Sequence, residues 1–197
     1  MELPGAFVLG SNDYYAPKPI NPVKYFAGPS QITPARPMLD WEPLAAGMSD
    51  HGWLDLTNTH VNWTVGGRLI SVKGVDDPHI ARDDYEGIRG SFNSEADLSL
   101  GVVHAPYLRV LDAMAADNAQ LILAGHTHGG QLRVPGYGAL VTNCDLDPKQ
   151  ARGLSHHRSC ALHVSAGLGC SRYAPFRFAC PPEATLITLT PRSSHLE

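Results

Sequence analysis

Short apolar runs recur along the chain at the spacing of β-strands. Runs of this kind, bounded by polar or turn-forming residues, predict strands; they are GGRLISVKGV (66–75), LSLGVVH (98–104), AQLILAG (119–125), ALHVSAG (161–167) and ATLITLT (184–190). PYLRVLDAMAAD (106–117) has helical spacing instead, with apolar residues at i, i+3, i+4 and i+7, namely Tyr107, Val110, Leu111 and Met114. Strands that alternate with helices predict a layered α/β core.

The amino-terminal third has a weaker pattern. Residues 14–37 are too rich in proline for a regular element, and we expect a long ordered loop there. A short helix is expected near residues 38–48 and a strand in GWLDLTN (52–58). His60 alternates with Val61 and Trp63 in a further strand, and we expect it to be a surface histidine or a hydrogen-bonded core histidine.

Composition narrows the class of protein. A chain of 197 residues with 43% hydrophobic and 17% charged residues is typical of one soluble globular domain. Its net charge of −4, without a basic block, argues against nucleic-acid binding but leaves room for a small anionic ligand. It has no membrane-spanning apolar run and no signal-peptide pattern at its start, and its four cysteines form no CxxC pair. A cytoplasmic chain with reduced thiols is the expectation.

Three histidines follow predicted strands. His104 ends one strand, and His126 and His128 follow the next, at the sheet edge where open α/β sheets bind ligands. In extended backbone residues i and i+2 point the same way, so His126 and His128 are expected to converge. Neutral imidazole suits zinc, iron, manganese or nickel, and the flanking glycines allow close approach of the main chain. The pattern predicts a metal site, with incidental loop polarity as the alternative.

These motifs resemble those of a known family. GHTHGGQ (125–131) after an apolar strand resembles the last metal motif of calcineurin-like metallophosphoesterases, and GVVHAP (101–106) resembles the motif before it. GLGCSRYAPFRFACPPEATLITL (167–189) is similar to the carboxyl-terminal segment of the bacterial branch. The resemblance runs from Phe7 to Leu189 and implies a calcineurin-like α/β/β/α sandwich over residues 1–190, followed by a tail over 191–197.

The resemblance implies a two-metal phosphoester hydrolase. His104 and His126 would bind the second divalent metal and His128 the first, and the metals could be Mn, Fe, Zn or Ni. Such a pair clamps a phosphate while metal-held water attacks phosphorus. The implied substrate is a small phosphate monoester or diester.

The resemblance is also incomplete. The family's upstream DxH pair and further aspartate have no counterpart here, so the chain matches the carboxyl-terminal two thirds of the domain. We expect an N-terminally truncated enzyme, whose parent could carry a membrane anchor; the alternative is a noncatalytic metal-binding or interaction remnant. An unpaired sheet edge would favour self-association.

GSND (10–13) resembles the family's third motif but departs from it. Without a gap, Ser11 takes the position of the metal-binding asparagine and Asn12 that of the histidine near the leaving group. Shifted by one residue, Asn12 is the ligand and Asp13 replaces the histidine. An amide oxygen is the better ligand, so we favour Asn12, with Asp13 as a candidate acid. The alternative is a capping turn.

Other polar clusters have weaker signals. GVDDPHIARDDY (74–85) could form a separate cation site, but a polar turn at the rim of the site, with Asp76 or Asp77 bonding loop amides, is favoured. Arg172 and Arg177 lie in the family-like carboxyl segment and could contact substrate phosphate. A structural ion pair is the equal alternative for Arg177. His156 and His157 are interpreted as loop polarity.

Overall fold

A computed structural model describes residues 3–17, 19, 36–170 and 175–190. Most of the predicted loop over residues 14–37, all of Arg172 and the tail lie outside these described residues. In chain order the elements are β1 (Ala6–Phe7), α1 (Ser11–Tyr14), α2 (Glu42–Asp50), β2 (Leu54–Asp55), β3 (Thr59–Val65), β4 (Arg68–Val75), β5 (Leu98–Val103), α3 (Leu108–Ala116), β6 (Leu121–Ala124), β7 (Arg133–Val134), β8 (Gly138–Ala139), β9 (Gly153–His157) and β10 (Cys160–Val164).

A six-stranded mixed sheet in the order β3-β4-β5-β6-β10-β9 forms the centre of the molecule. The four inner strands β4, β5, β6 and β10 are mutually parallel, and β3 and β9 pair antiparallel at the two edges. Val103 of β5 lies opposite Val75 on one side and Ala124 on the other. The residues that follow these strands therefore meet at one edge of the sheet.

Helix α3 covers the sheet with the face predicted from its spacing. Val110, Leu111 and Met114 are buried in the main hydrophobic cluster together with Ile122 and other strand residues. Gly101 of β5 makes room for this contact, because a Cβ there would lie 2.6 Å from the sulfur of Met114. The helix and the inner strands predicted from the sequence are confirmed, within a mixed α/β fold compatible with a metallophosphoesterase.

A second, smaller cluster lies around the amino-terminal elements. β1 pairs with β2 in a two-stranded parallel sheet, and Phe7, Leu9, Tyr14 and Ala45 are buried together. The backbone after α1 pairs with residues 37–39, because Ala16 N–H donates to the Pro37 carbonyl and Leu39 N–H to the Tyr14 carbonyl. Among the described residues, no helix is both long enough and apolar enough to cross a bilayer.

Several predicted elements differ in the structure. Residues 184–190 form no strand, and Leu186 and Leu189 are exposed, because an apolar run becomes a strand only beside a partner that supplies a hydrogen-bond ladder. The helix expected at 38–48 lies at Glu42–Asp50, with Pro43 in its first turn. His156 and His157 belong to edge strand β9 rather than to a loop. The sandwich layering and the expected truncation stay predictions.

Candidate metal centre

Two half-buried histidines meet at the carboxyl edge of the parallel strands. His104 directly follows β5, and His126 follows β6 after Gly125. His126 Nδ1 lies 3.3 Å from His104 Nε2, and the two ring centroids are 5.2 Å apart. The other ring nitrogen of His126 lies 3.3 Å from the Asn143 carbonyl oxygen. The topology therefore brings together two residues that are 22 positions apart in the sequence.

The environment favours the neutral form of both imidazoles. Burial lowers the pKa of His104, against the opposing effect of the Asp13 carboxylate. Burial lowers the pKa of His126 well below its usual value, and positive charge on His104 would lower it further. Neutral imidazole is the form that binds a metal ion, since the ligand nitrogen must carry a lone pair.

The spacing of the two nitrogens fits a shared ion. Ligand nitrogens at ~2.0–2.1 Å from one ion, with an angle of roughly 90–110° between them, lie about 3.0–3.4 Å apart. The observed separation of 3.3 Å falls in this range. Among the described residues, however, no three His, Cys, Asp or Glu side chains are grouped so as to hold a metal. The pair supplies two ligands of a site, not a complete set.

The HTH segment forms a strained turn, so the expectation of extended backbone is wrong. His126 and His128 have φ of 67° and 50°, in the left-handed region, and Thr127 between them is in the right-handed helical region. Thr127 fixes this turn, because its hydroxyl donates to the Ala151 carbonyl and accepts from Gly129 N–H. Left-handed conformations of non-glycine residues cost ~1–3 kcal/mol each and cluster at functional sites.

His128 is the last residue of the HTH turn. Burial lowers the pKa of His128, followed by the positive charges of Arg177 and His104. His128 is thus within electrostatic range of His104, but no hydrogen bond or ring contact joins the two in the described part of the chain. Its assignment to the first metal stays a prediction.

Arg177 binds main-chain carbonyl groups around this turn. Its guanidinium donates to the carbonyl oxygens of His128, Ala166, Gly167 and Gly169. These contacts tie the carboxyl-terminal segment to the HTH turn without a carboxylate partner among the described residues. A phosphate-binding role for Arg177 stays a prediction, and its observed contacts are structural.

Curated proteins with similar sequences carry phosphoesterase names. The chain is 34% identical to the Bacillus subtilis protein named "Uncharacterized metallophosphoesterase YkuE" over 123 residues, which are 62% of this chain and 41% of that protein. It is 30% identical to "Uncharacterized metallophosphoesterase YkoQ" of the same organism, over 66% of this chain and 47% of that protein. It is 36% identical to "Phosphodiesterase YaeI" of Escherichia coli, over 49% of this chain and 34% of that protein. The chain is a homologue of metallophosphoesterases.

These matches confirm the resemblance seen in the motifs. The matched regions span about a third to a half of the length of the curated relatives. No protein-family model matches the chain, and no solved structure gives a significant match.

The segment that resembles the metallophosphoesterase third motif packs directly under His104. A Cβ on Gly10 would lie 2.4 Å from the His104 ring, so this position requires glycine. Asp13 caps the short helix α1 by accepting from Gly10 N–H at 2.8 Å, as the capping-turn interpretation expects. Ser11 is buried, whereas Asn12 is exposed on α1 and has no contact with the histidine pair in the described residues. Its role as a ligand stays a prediction.

The structure places His79 against His126 at this edge of the sheet, whereas the sequence offered it only within the polar cluster of residues 74–85. Its ring centroid lies 4.7 Å from that of His126, and its Nδ1 lies 2.9 Å from the Tyr107 hydroxyl. The sequence did contain a signal for this position of His79. The VDDPH segment follows β4, which is the parallel neighbour of β5, so it reaches the same edge of the sheet as His104. The favoured polar turn matches the structure, since Asp76 accepts from Asp77 N–H and Asp77 accepts from His79 N–H.

The two adjacent aspartates differ in how completely they are paired. Asp76 accepts from the Tyr14 hydroxyl, from Arg82 Nε and from Asp77 N–H, so both of its oxygens are engaged. Asp77 is fully buried, and its Oδ2 has no hydrogen-bond partner among the described residues. Burial raises the pKa of Asp77 to about 6, against the hydrogen bond from His79 N–H. Asp76 is therefore structural, and Asp77 is a buried, incompletely paired carboxylate beside His79.

Proposed function

We propose that this chain forms part of a metal-dependent phosphoester hydrolase with a two-metal site. The observation that carries the proposal is the pair of half-buried imidazoles of His104 and His126, whose facing nitrogens have the separation of two ligands on one ion. The names of the relatives support the reaction class. We place this pair at the second metal, with Asn12, and His128 at the first.

Each residue of the site has a separate role in the proposed activity. Divalent ions bound at such a site clamp a phosphate and lower the pKa of a coordinated water. His104 and His126 would hold one ion through neutral imidazole nitrogens, and burial favours that neutral form by lowering the pKa of both residues. Thr127 and the glycine turn keep His126 in its left-handed conformation, aimed at His104. Asp13, which lies within electrostatic range of His104, is the candidate proton donor to the leaving group.

The remaining ligands of the site are proposed to come from sequence that this chain does not contain. The described residues supply two grouped imidazoles, whereas the proposed activity needs two filled metal positions with carboxylate ligands. The matched regions cover less than half of each relative, and the resemblance places a DxH pair and a further aspartate upstream. We therefore propose that the 197-residue chain alone has little activity, and that an upstream extension carrying these ligands restores it.

Four proteins test this proposal: the chain, the extended chain, and the extended chain with His126→Ala or His156→Ala. Each is assayed on a generic aryl phosphodiester and phosphomonoester with Mn²⁺, Zn²⁺ or Ni²⁺. We expect activity only in the extended chain, and its loss in His126→Ala. Extended His156→Ala is the matched control, because His156 is exposed on the edge strand β9. Turnover by the short chain at the rate of the extended chain would show that the missing ligands are unnecessary.

A noncatalytic metal-binding domain is the competing function, and one observation favours it. Only two imidazoles are grouped at ligand distance in the described residues, and two neutral ligands can bind one ion without supporting hydrolysis. This function predicts metal binding in the short chain and no activity in the extended chain. The same set of proteins therefore separates the two functions.

A further inference from the structure

The two ring nitrogens of His126 face different partners. His126 Nδ1 lies 3.3 Å from His104 Nε2, and His126 Nε2 lies 3.3 Å from the main-chain carbonyl oxygen of Asn143. A carbonyl oxygen only accepts hydrogen bonds, so this second contact requires a proton on Nε2. A neutral imidazole carries one ring proton. The Asn143 carbonyl therefore selects the tautomer of His126 in which Nδ1 keeps its lone pair.

This tautomer puts the lone pair of His126 where a shared ion needs it. Nδ1, the nitrogen left without a proton, is the one that faces His104 Nε2. In the metal-free chain His104 Nε2 donates to it, because two facing lone pairs would repel each other. When an ion is bound, that proton gives way, and His104 carries its proton on Nδ1 instead. Histidine ligands of metals commonly donate their other ring N–H to a carbonyl or carboxylate, which fixes the ring orientation.

The loop that carries the Asn143 carbonyl is anchored independently of the histidines. The flanking residues Thr142 and Cys144 are buried, and the Thr142 hydroxyl donates to the Cys144 carbonyl at 3.0 Å. The Asp145 carboxylate accepts from Leu108 N–H at 2.9 Å, which ties the loop to the first residue of helix α3. The position of the Asn143 carbonyl is therefore set by the surrounding fold.

The backbone of Asn143 is in an unfavourable conformation. Its φ is 58°, in the left-handed region, which asparagine tolerates and β-branched residues rarely enter. His126, its partner, has φ of 67°. Both residues of this contact are thus held in conformations that cost free energy, and such conformations cluster at functional sites.

We propose that Asn143 is a positioning residue whose main-chain carbonyl commits Nδ1 of His126 to the metal. The proposal rests on the proposed function, in which His104 and His126 share one ion, and it deepens that function by assigning the ligand atom. Asn143 acts through His126 and needs no contact with the ion or the substrate. It lies outside the motifs identified in the sequence.

The tautomer of His126 can be measured directly in the metal-free chain. The ring nitrogen and Cδ2 chemical shifts, recorded by NMR at neutral pH and assigned with His126→Ala, distinguish a proton on Nε2 from one on Nδ1. We expect the Nε2–H form in the wild type and in Asn143→Gly, because glycine keeps both the carbonyl and the left-handed backbone. Asn143→Val should shift His126 towards the Nδ1–H form, because valine disfavours a φ of 58° and moves the carbonyl.

Zinc affinity, measured by calorimetry, is the second readout. Loss of a hydrogen bond that orients a metal ligand lowers affinity by about 10–100-fold, so we expect about tenfold weaker Zn²⁺ binding in Asn143→Val and wild-type binding in Asn143→Gly. Asn118→Val is the matched control, because Asn118 has φ of 69° but is exposed just after helix α3. It should lose stability like Asn143→Val and keep the wild-type tautomer and zinc affinity.

A proton on Nδ1 of His126 in the metal-free wild type would overturn the proposal, and this measurement requires no variant to fold. A folded Asn143→Val protein with the wild-type tautomer and wild-type zinc affinity would overturn it as well. Failure of the proposed function has a different signature. His126→Ala would then bind Zn²⁺ like the wild type, whichever tautomer the wild type has.

Discussion

Two buried polar clusters lie on the same central sheet, and they differ in whether their partners are complete. Lys73 of β4 is fully buried, donates to Asp117 at 2.8 Å and to the Gly90 carbonyl, and lies over the Phe92 ring. Asp117 also accepts from the Tyr85 hydroxyl and from Gly90 N–H. At the carboxyl edge of the sheet, in contrast, Asp77 Oδ2 has no hydrogen-bond partner within the described residues.

The contrast separates a structural network from a binding site. A buried charge whose partners are all present is stabilised by the fold itself, and removing one partner leaves the other uncompensated. Buried polar groups without partners cost stability and persist where a ligand supplies the missing contact. The Lys73 cluster should therefore respond to mutation through stability, and the histidine edge through binding.

The largest expected loss of stability comes from substitution of Lys73. Lys73→Met should lower the free energy of unfolding by about 3–5 kcal/mol, because it leaves the Asp117 carboxylate buried without its cation. Urea unfolding followed by circular dichroism measures this loss. Combining Lys73→Met with Asp117→Asn should recover part of the lost stability, since the uncompensated charge is then removed. A loss below about 1 kcal/mol in Lys73→Met would contradict the structural assignment.

Gly129→Ala should have the next largest effect. Gly129 has φ of 66°, and a Cβ there would lie 2.7 Å from the Cys180 sulfur and 2.9 Å from the Ala166 Cβ. The left-handed backbone and the overpacking together should cost about 2–4 kcal/mol in the free energy of unfolding. Gly136→Ala is the matched control, because Gly136 has φ of 81° but open space around it. Equal losses in both variants would show that packing around the HTH turn contributes nothing.

Asp77→Asn should raise the free energy of unfolding at neutral pH, in contrast to the two preceding substitutions. Burial raises the folded-state pKa of Asp77 to about 6, above the usual value of ~3.9 in an unfolded chain. The folded state therefore binds the Asp77 proton more tightly than the unfolded state does. This proton contributes its full stabilisation below pH ~4, and the contribution is lost as the pH rises through about 6. Asp77→Asn avoids that loss and should gain ~1–3 kcal/mol at pH 7.5.

Urea unfolding at pH 4.5 and pH 7.5 tests this sign. The gain from Asp77→Asn should shrink at pH 4.5, where the wild-type carboxyl is mostly protonated. A variant that is less stable than the wild type at pH 7.5 would mean that the ionised carboxylate holds the loop through its bond to His79 N–H. Asp77 would then belong with the paired cluster rather than with the binding site.

The sequence predicted those parts of the fold that depend on local periodicity. The apolar face of α3 and the four inner strands follow from spacing alone, since burial on one face needs no knowledge of distant residues. Residues 184–190, which were predicted to form a strand but do not, show the limit of prediction from local spacing. Their apolar run has strand character, but strand formation depends on a hydrogen-bonding partner that local pattern does not report.

The candidate site was predictable only in part, for the same reason. Both His104 and His126 lie in the motifs found in the sequence. The parallel order of their strands then places the two side chains together. The left-handed turn at His126 was not predictable from an HxH pattern, because glycine neighbours allow it without requiring it. His79 reaches the site through long-range packing. Its local sequence is an ordinary polar turn.

A metal titration of four proteins tests the central claim that His104 and His126 bind one ion together. Calorimetry with Mn²⁺ and Zn²⁺ compares the wild type, His104→Ala, His126→Ala and the double variant, with His156→Ala as control. We predict at most one metal per wild-type chain and a large loss of affinity in each single variant. Because both side chains serve one ion, the double variant should lose little more than either single variant. Losses that add, or wild-type affinity in His126→Ala, would contradict the shared site.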